Sequence, residues 1–219
     1  MARPSRKPVR REHLVAAATR AVGRQGLATL RVADVAEQAG VVRGSVHYYF
    51  PDLSELLREV FRQAVERFCT DRAAMLSTMD DAREKLVAAA RAGIPWRADD
   101  ELVTVLYEFT TAVRQDPIYS VIAESLFDRQ VTMYGAVLEI GRAQGHFQPR
   151  SPVADIAANL VCLENGYGLE IIAGNAVMPP QRAFELILSY ARDATGCADL
   201  TGDPAGSEVT HLRPRKGTR

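Results

Sequence analysis

Residues 32–57 read VADVAEQAGVVRGSVHYYFPDLSELL, and this stretch decides the fold. Val32, Val35, Ala36 and Ala39 recur at helical spacing, and Gly40 follows them where a helix ends in a backbone conformation that favours glycine. Val41 turns inward across the break, and a second helix is expected from Val42 to Phe50. Val46 and Phe50 lie four apart on its inner side, which leaves Arg43, Ser45, His47, Tyr48 and Tyr49 facing outward. Two short helices on a tight turn can set the start of the second helix against base edges in a DNA major groove. The outward residues suit such a groove, since a guanidinium forks onto guanine, a hydroxyl donates or accepts, and Gly44 lets the backbone come close. Three-helix units with a glycine turn also occur as plain packing motifs, so the flanks carry weight.

The 219-residue chain has no formal net charge, yet its first 50 residues hold nine Arg or Lys against three acids. The basic surplus surrounds the groove-reading motif and the remainder is acidic by the same amount, which is the electrostatic pattern of a segment that displaces phosphate counterions. Met1 to Arg11 contains two prolines and five basic residues with hardly an apolar group, so residues 1–10 are expected to form a disordered basic arm. Such an arm either enters a minor groove or simply solubilises the chain. A first helix is expected over Glu12 to Gln25, with Leu14, Ala17, Ala18, Ala21 and Val22 on one side.

Asp52 and Glu55, after Pro51, start a fourth helix expected to run from Ser54 to about Met79 on Leu56, Leu57, Val60, Phe61, Ala64, Val65, Phe68 and Met75. It reads equally as a bridge between two bodies and as an amphipathic core helix. Helical patterning continues over Asp80 to Ala92, Asp99 to Gln115, Pro117 to Gly145, Asp155 to Asn175 and Pro180 to Gly196, with no strand-like alternation. The expected class is therefore all-α: a three-helix head over 11–55, a helical ligand and dimer domain over 56–196, and a disordered tail over 197–219.

The helix from Asp155 carries apolar groups on more faces than one core covers. Ile156, Leu160, Leu163, Tyr167 and Ile171, with Phe184, Ile187 and Leu188 on the last helix, are expected to build a two-fold interface, the alternative being a helix buried within the monomer.

No apolar run is long enough to cross a membrane and no signal-type segment opens the chain, so a cytoplasmic protein without a membrane partner is expected. Cys69, Cys162 and Cys197 are too widely spaced for a disulfide framework or a zinc site, and the first two are expected to pack as small hydrophobes. A phosphate-cradling GxxxxGK[ST] loop, an HExxH pair and a CxxC pair are absent, so no catalytic residue, metal or cofactor is expected. Glu208 and His211 make an ExxH string, but in a tail where no helix is expected. Two other classes remain: an enzyme with a carboxylate pair assembled by the bundle, and a helical scaffold that binds protein. Salt-dependent binding to a palindromic duplex separates both from a regulator.

Ala17 to Leu57 resembles the N-terminal domain of the tetracycline-repressor (TetR) family of bacterial transcriptional regulators. The matching residues are Gly26, Leu30, Val35, Ala36, Ala39, Gly40, Val41, Gly44, Val46, Tyr49, Phe50 and Leu56. The resemblance implies base and phosphate contacts at Arg43, Gly44, Ser45, His47, Tyr48 and Tyr49, with the start of the preceding helix near Arg31 and Ala33 adding backbone contacts. The chain departs from the pattern at Arg31 and Val42, where a capping hydroxyl is usual, at Leu53, where a Lys is usual, and at His47, where a Tyr is common.

The same resemblance implies a homodimer on a palindromic operator and an unidentified small-molecule effector that releases the DNA. The pocket is implied among the later helices, where Phe68, Tyr107, Thr110 and Thr111 offer candidate wall groups. Arg114, Phe127, Met133, Tyr134 and Glu164 complete the set. Glu164 lies within an apolar run, so it is expected to hold a cationic ligand, to pair with an Arg such as Arg114, or to face water at the dimer rim.

Overall fold

The computed structural model describes residues 6–97, 100–114 and 116–201. Among these are nine helices and no strand: α1 (Arg6–Gln25), α2 (Val32–Ala39), α3 (Arg43–Tyr49), α4 (Leu53–Ser77), α5 (Ala82–Ala92), α6 (Glu101–Thr111), α7 (Pro117–Ala143), α8 (Val153–Ile172) and α9 (Pro180–Thr195). The described residues form two compact units, one from residues within 6–68 and 95–129, the other from those within 69–94 and 130–201. Packing thus groups α6 and the first part of α7 with the head helices rather than dividing the chain near residue 55.

In the first unit, α1 packs on α2 and on α6. Leu14, Ala17, Ala18, Ala21 and Val22 are buried, as the helical spacing predicts. Phe61 stacks on Phe109 with ring centroids 4.7 Å apart, and Tyr119 sets its edge against both. On α6, Glu108 accepts a hydrogen bond from the backbone N–H of Leu27 at 2.8 Å, beside Gly26, whose φ is +77°. The glycine ends the first helix in the left-handed region, and the carboxylate satisfies the loop amide that follows it.

The basic arm is shorter than expected. Residues 6–10 belong to α1, which starts six residues before Glu12, while residues 1–5 lie outside the described part. Pro8 falls in the first turn, where it does not break a helix whose early N–H groups have no intrahelical partner. At the other end, Cys197 and Leu200 are buried and Arg192 donates to the Leu200 carbonyl at 2.9 Å, so the last helix is followed by a packed turn before the residues beyond 201, which are not described.

In the second unit, α8 packs on α9 and α5 on α9. The turn that follows α7 uses Gly145 at φ +77°, and Phe147 lies over Gly141, where a Cβ would overlap the ring. Asp81 caps α5: its carboxylate accepts the Arg83 N–H at 2.7 Å and the Arg83 guanidinium at 2.6 Å. These hydrogen bonds hold the Asp81 carboxyl down at about 2, below its ordinary 3.8. A depressed carboxylate contributes fully above its unfolded value and loses that contribution as pH falls through the folded one. Asp81→Ala should therefore remove part of the acid sensitivity of unfolding between those two values, measured as a flatter stability profile in urea titrations at successive pH values.

At the centre of this unit a charged pair is buried. Arg72 of α4 donates to Glu164 of α8 at 2.9 Å, to the Gln130 side-chain oxygen at 2.9 Å and to the Ala89 carbonyl at 2.7 Å. The Tyr134 hydroxyl donates to the same Glu164 carboxylate. Glu164 is 1% exposed and Arg72 4%. Burial pushes the Glu164 carboxyl up, while the Arg72 charge and the Tyr134 hydrogen bond act against that rise. The backbone at Gly93 closes over the carboxyl group, and a Cβ there would overlap it.

Candidate nucleic-acid interface

The helix-turn-helix is built as the sequence predicts. Val35, Ala36 and Ala39 are buried along α2, Val32 is half-buried, and Gly40 takes φ +65° at the C-terminal cap. Its N–H returns to Glu37 and that of Val41 to Ala36, which satisfies two terminal carbonyls of α2. Val46 and Phe50 are 2% and 0% exposed, and they fix which side of α3 points away from the protein. His13 of α1 makes a hydrogen bond to the Ala39 carbonyl at 3.0 Å, and the Arg11 guanidinium lies 4.5 Å from the Phe50 ring centroid. The motif is thus clamped from behind by α1.

On the outward side, Arg43, Gly44, His47 and Tyr48 are exposed, while Ser45 and Tyr49 are half-buried. The two tyrosine rings meet edge to face at 4.9 Å. Arg31 is exposed at the start of α2 and Ala33 half-buried behind it. The first turn of α3 has no acidic residue. The one acid in the first turn of α2, Asp34, is occupied: it accepts the Arg31 backbone N–H at 2.7 Å and the Gln25 amide at 3.0 Å. A missing hydroxyl cap at Arg31 is thereby offset by a carboxylate three residues on, which is half of a capping box. The sequence carries this signal as R-x-x-D, which a search for capping hydroxyls alone does not find. At Val42 the side chain makes no capping hydrogen bond.

The candidate pocket residues fall in different places. Phe68, Tyr107, Thr110, Thr111, Arg114 and Phe127 belong to the first unit, and Met133, Tyr134 and Glu164 to the second. Thr110 and Thr111 are exposed and spend their hydroxyls on the carbonyls of Leu106 and Glu108. Glu164 neither faces water nor pairs with Arg114, which is exposed; its cation is Arg72.

Residues 14–60 match the model of the bacterial regulatory proteins of the tetR family. This stretch runs from within α1 into the first turns of α4 and holds the helix-turn-helix. The chain is 37% identical over 82 residues to the HTH-type transcriptional regulator BetI of Agrobacterium fabrum, a match covering 37% of this chain and 40% of that protein. It is 25% identical over 146 residues to the HTH-type transcriptional repressor KstR2 of Mycolicibacterium smegmatis, covering 67% of this chain and 71% of that one. In fold it is similar to a transcriptional regulator from Saccharomonospora viridis solved in complex with choline. The TM-score is 0.79 at 22% identity, over 86% of this chain and 98% of that one. The match to the BetI relative thus spans less than half of that protein's length.

The residues expected at a TetR-type two-fold interface need correcting. Ile156, Leu160, Phe184, Ile187 and Leu188 are at most 3% exposed, and Ile171 is 8% exposed, within this single chain. They are buried within this chain, on two helices that pack against each other. Leu163 and Tyr167 are half-buried. The outward side of α8 instead carries Asn159, Cys162, Gly166 and Leu169, spaced three and four apart; all four are exposed. Cys162 is therefore a surface residue and not a core hydrophobe, whereas Cys197 is buried. Asn159 donates to the Tyr190 hydroxyl of α9 at 2.9 Å, which ties the two helices together at this surface.

Among the described residues no cluster of three His, Cys, Asp or Glu is placed to hold a metal, and no helix is long and apolar enough to cross a membrane. Glu208 and His211 lie outside the described residues.

Proposed function

We propose that this chain is a DNA-binding transcriptional repressor that acts as a homodimer on a palindromic operator and releases it when a small molecule binds the helical domain beyond the head. The observation that carries the reading is the outward side of α3: Arg43, Gly44, His47 and Tyr48 are exposed on a helix held from behind by buried Val46 and Phe50. Phosphate contacts set the register of such a helix and Arg43 supplies base readout. The repressor name of the KstR2 relative supports the direction of control, and the choline in the S. viridis neighbour supports a small organic effector. Of the candidate pocket groups, Phe127 in the first unit and Met133 in the second are half-buried apolar side chains. Such a regulator works where the DNA is, in the cytoplasm.

Selection of bound duplexes from a random pool, followed by titration at several salt concentrations, tests the proposal. Affinity should fall steeply with salt, and the selected sites should be palindromic. Arg43→Ala should weaken the selected duplex by about 1–3 kcal/mol and loosen preference at one base position. An unchanged footprint and affinity would remove Arg43 from the reading set. A protein that selects no duplex at all would be a scaffold or an enzyme instead. Choline is the first effector to test, by its ability to release the selected duplex.

A further inference from the structure

We propose that Val42 is a specificity-determining residue that packs against the C5-methyl group of a thymine in the major groove; the inference rests on the DNA-binding function proposed for α3. Val42 is 73% exposed, directly before the first residue of α3. A β-branched apolar group left in water at a helix start is doubly unfavourable, because the position also loses the hydrogen bond that a Ser, Thr, Asp or Asn would make. Its backbone is held nevertheless: the Val42 carbonyl accepts the Ser45 N–H at 2.9 Å, so the side chain has a defined direction at the first turn.

Gly44, two residues on, shows the same kind of local sacrifice. Glycine weakens a helix relative to alanine. Among the described residues, nothing beyond its own chain neighbours and helix backbone lies within 4 Å of a Cβ built on Gly44, and Gly44 is not among the glycines with positive φ. Neither packing among the described residues nor backbone conformation accounts for it. Closely spaced departures from the locally favoured residue are expected at functional sites.

The chemistry of these positions distinguishes the partner atoms. Phosphate oxygens are met by cations and donors, which the Val42 side chain does not have. A thymine methyl is the apolar feature of the major groove, and small apolar side chains contact it. Bare backbone at Gly44 lets the turn approach base edges closely enough for that contact. A protein partner fits less well, since Val42 lies directly beside the charged, exposed Arg43.

The test uses the full chain and the duplex that it selects. Each thymine is replaced in turn by uracil, which removes only the methyl group, and binding is measured for the wild type and for Val42→Ser. One thymine position is expected at which uracil weakens the wild type about fourfold, the worth of one buried methyl, and changes Val42→Ser less than about twofold. Serine is a favoured residue at this cap, so the variant should melt no lower than the wild type. Equal uracil profiles for the two proteins, or a wild-type profile with no sensitive position, would overturn the assignment of Val42 alone. If the wild type selects no duplex, both this inference and the DNA-binding function are overturned.

Discussion

Glu164→Ala is expected to lower the stability of the folded chain by about 3–5 kcal/mol, because it strands the Arg72 guanidinium in the interior. Four helices meet at this pair. Arg72 comes from α4, Ala89 from α5, Gln130 and Tyr134 from α7 and Glu164 from α8. Removing the carboxylate takes away the negative charge that neutralises Arg72 and the acceptor of the Tyr134 hydroxyl, while the guanidinium stays buried at 4% exposure. For a domain of ordinary stability the loss is a large part of the total. Replacing both charges, as in Arg72→Met with Glu164→Leu, should recover much of it, since no ion of the pair is then left in the interior. Urea unfolding of the single and double variants measures this. If the double variant is no more stable than Glu164→Ala, the pair is not the source of the loss. The same experiment separates a structural acid from a ligand group: a residue kept for a cationic effector would leave folding intact when removed and abolish only the response to that effector.

The sequence shows Glu164 to be exceptional but not what it touches. An acid inside LVCLENGYGLEII demands a partner, and local spacing can rank none, because Arg72 lies 92 positions away on another helix. Arg114 is not that partner, and nothing in the linear order of residues separates the two arginines. The helix-turn-helix is legible because its determinants are local: period, glycine at the turn, and two inward residues four apart all lie within residues 32–57. The α8 surface is legible only halfway. Apolar residues on several sides announce that more than one face is covered, yet they do not say which face meets the chain's own α9 and which faces outward. Ile156, Leu160 and Ile171 take the internal face, leaving the smaller Cys162 and Gly166 outside with Leu169. Interface candidates chosen by size therefore fall in the core. The two chain ends mislead in a related way, since proline and charge near Arg6, and glycine before Cys197, mark weak helix positions without excluding a helical first turn or a packed last one.

The burial of Leu160 and the exposure of Leu169 set opposite outcomes for mutation of the α8–α9 region. Leu160→Asp is expected to unfold the chain, not to produce a folded monomer. Leu160 is 0% exposed, so the change forfeits about 1.5–3 kcal/mol of side-chain burial and adds an unpaired carboxylate to an apolar interior. Together these approach the whole stability of a typical domain. Leu169→Glu and Gly166→Arg should behave in the opposite way. Leu169 is 42% exposed and, among the described residues outside its own helix turn, nothing lies within 4 Å of a Cβ built on Gly166, so either side chain can change with little effect on the fold. Both would place a desolvated charge at the centre of an interface formed by the outward side of α8, where a closely approaching second copy needs the small residue. Sedimentation should then report folded monomers for these two variants and a dimer for the wild type, with circular dichroism unchanged. Duplex binding should weaken with the loss of the second head. A Gly166→Arg protein that stays dimeric would move the interface elsewhere, and a soluble, helical Leu160→Asp monomer would restore the interface expected from the sequence.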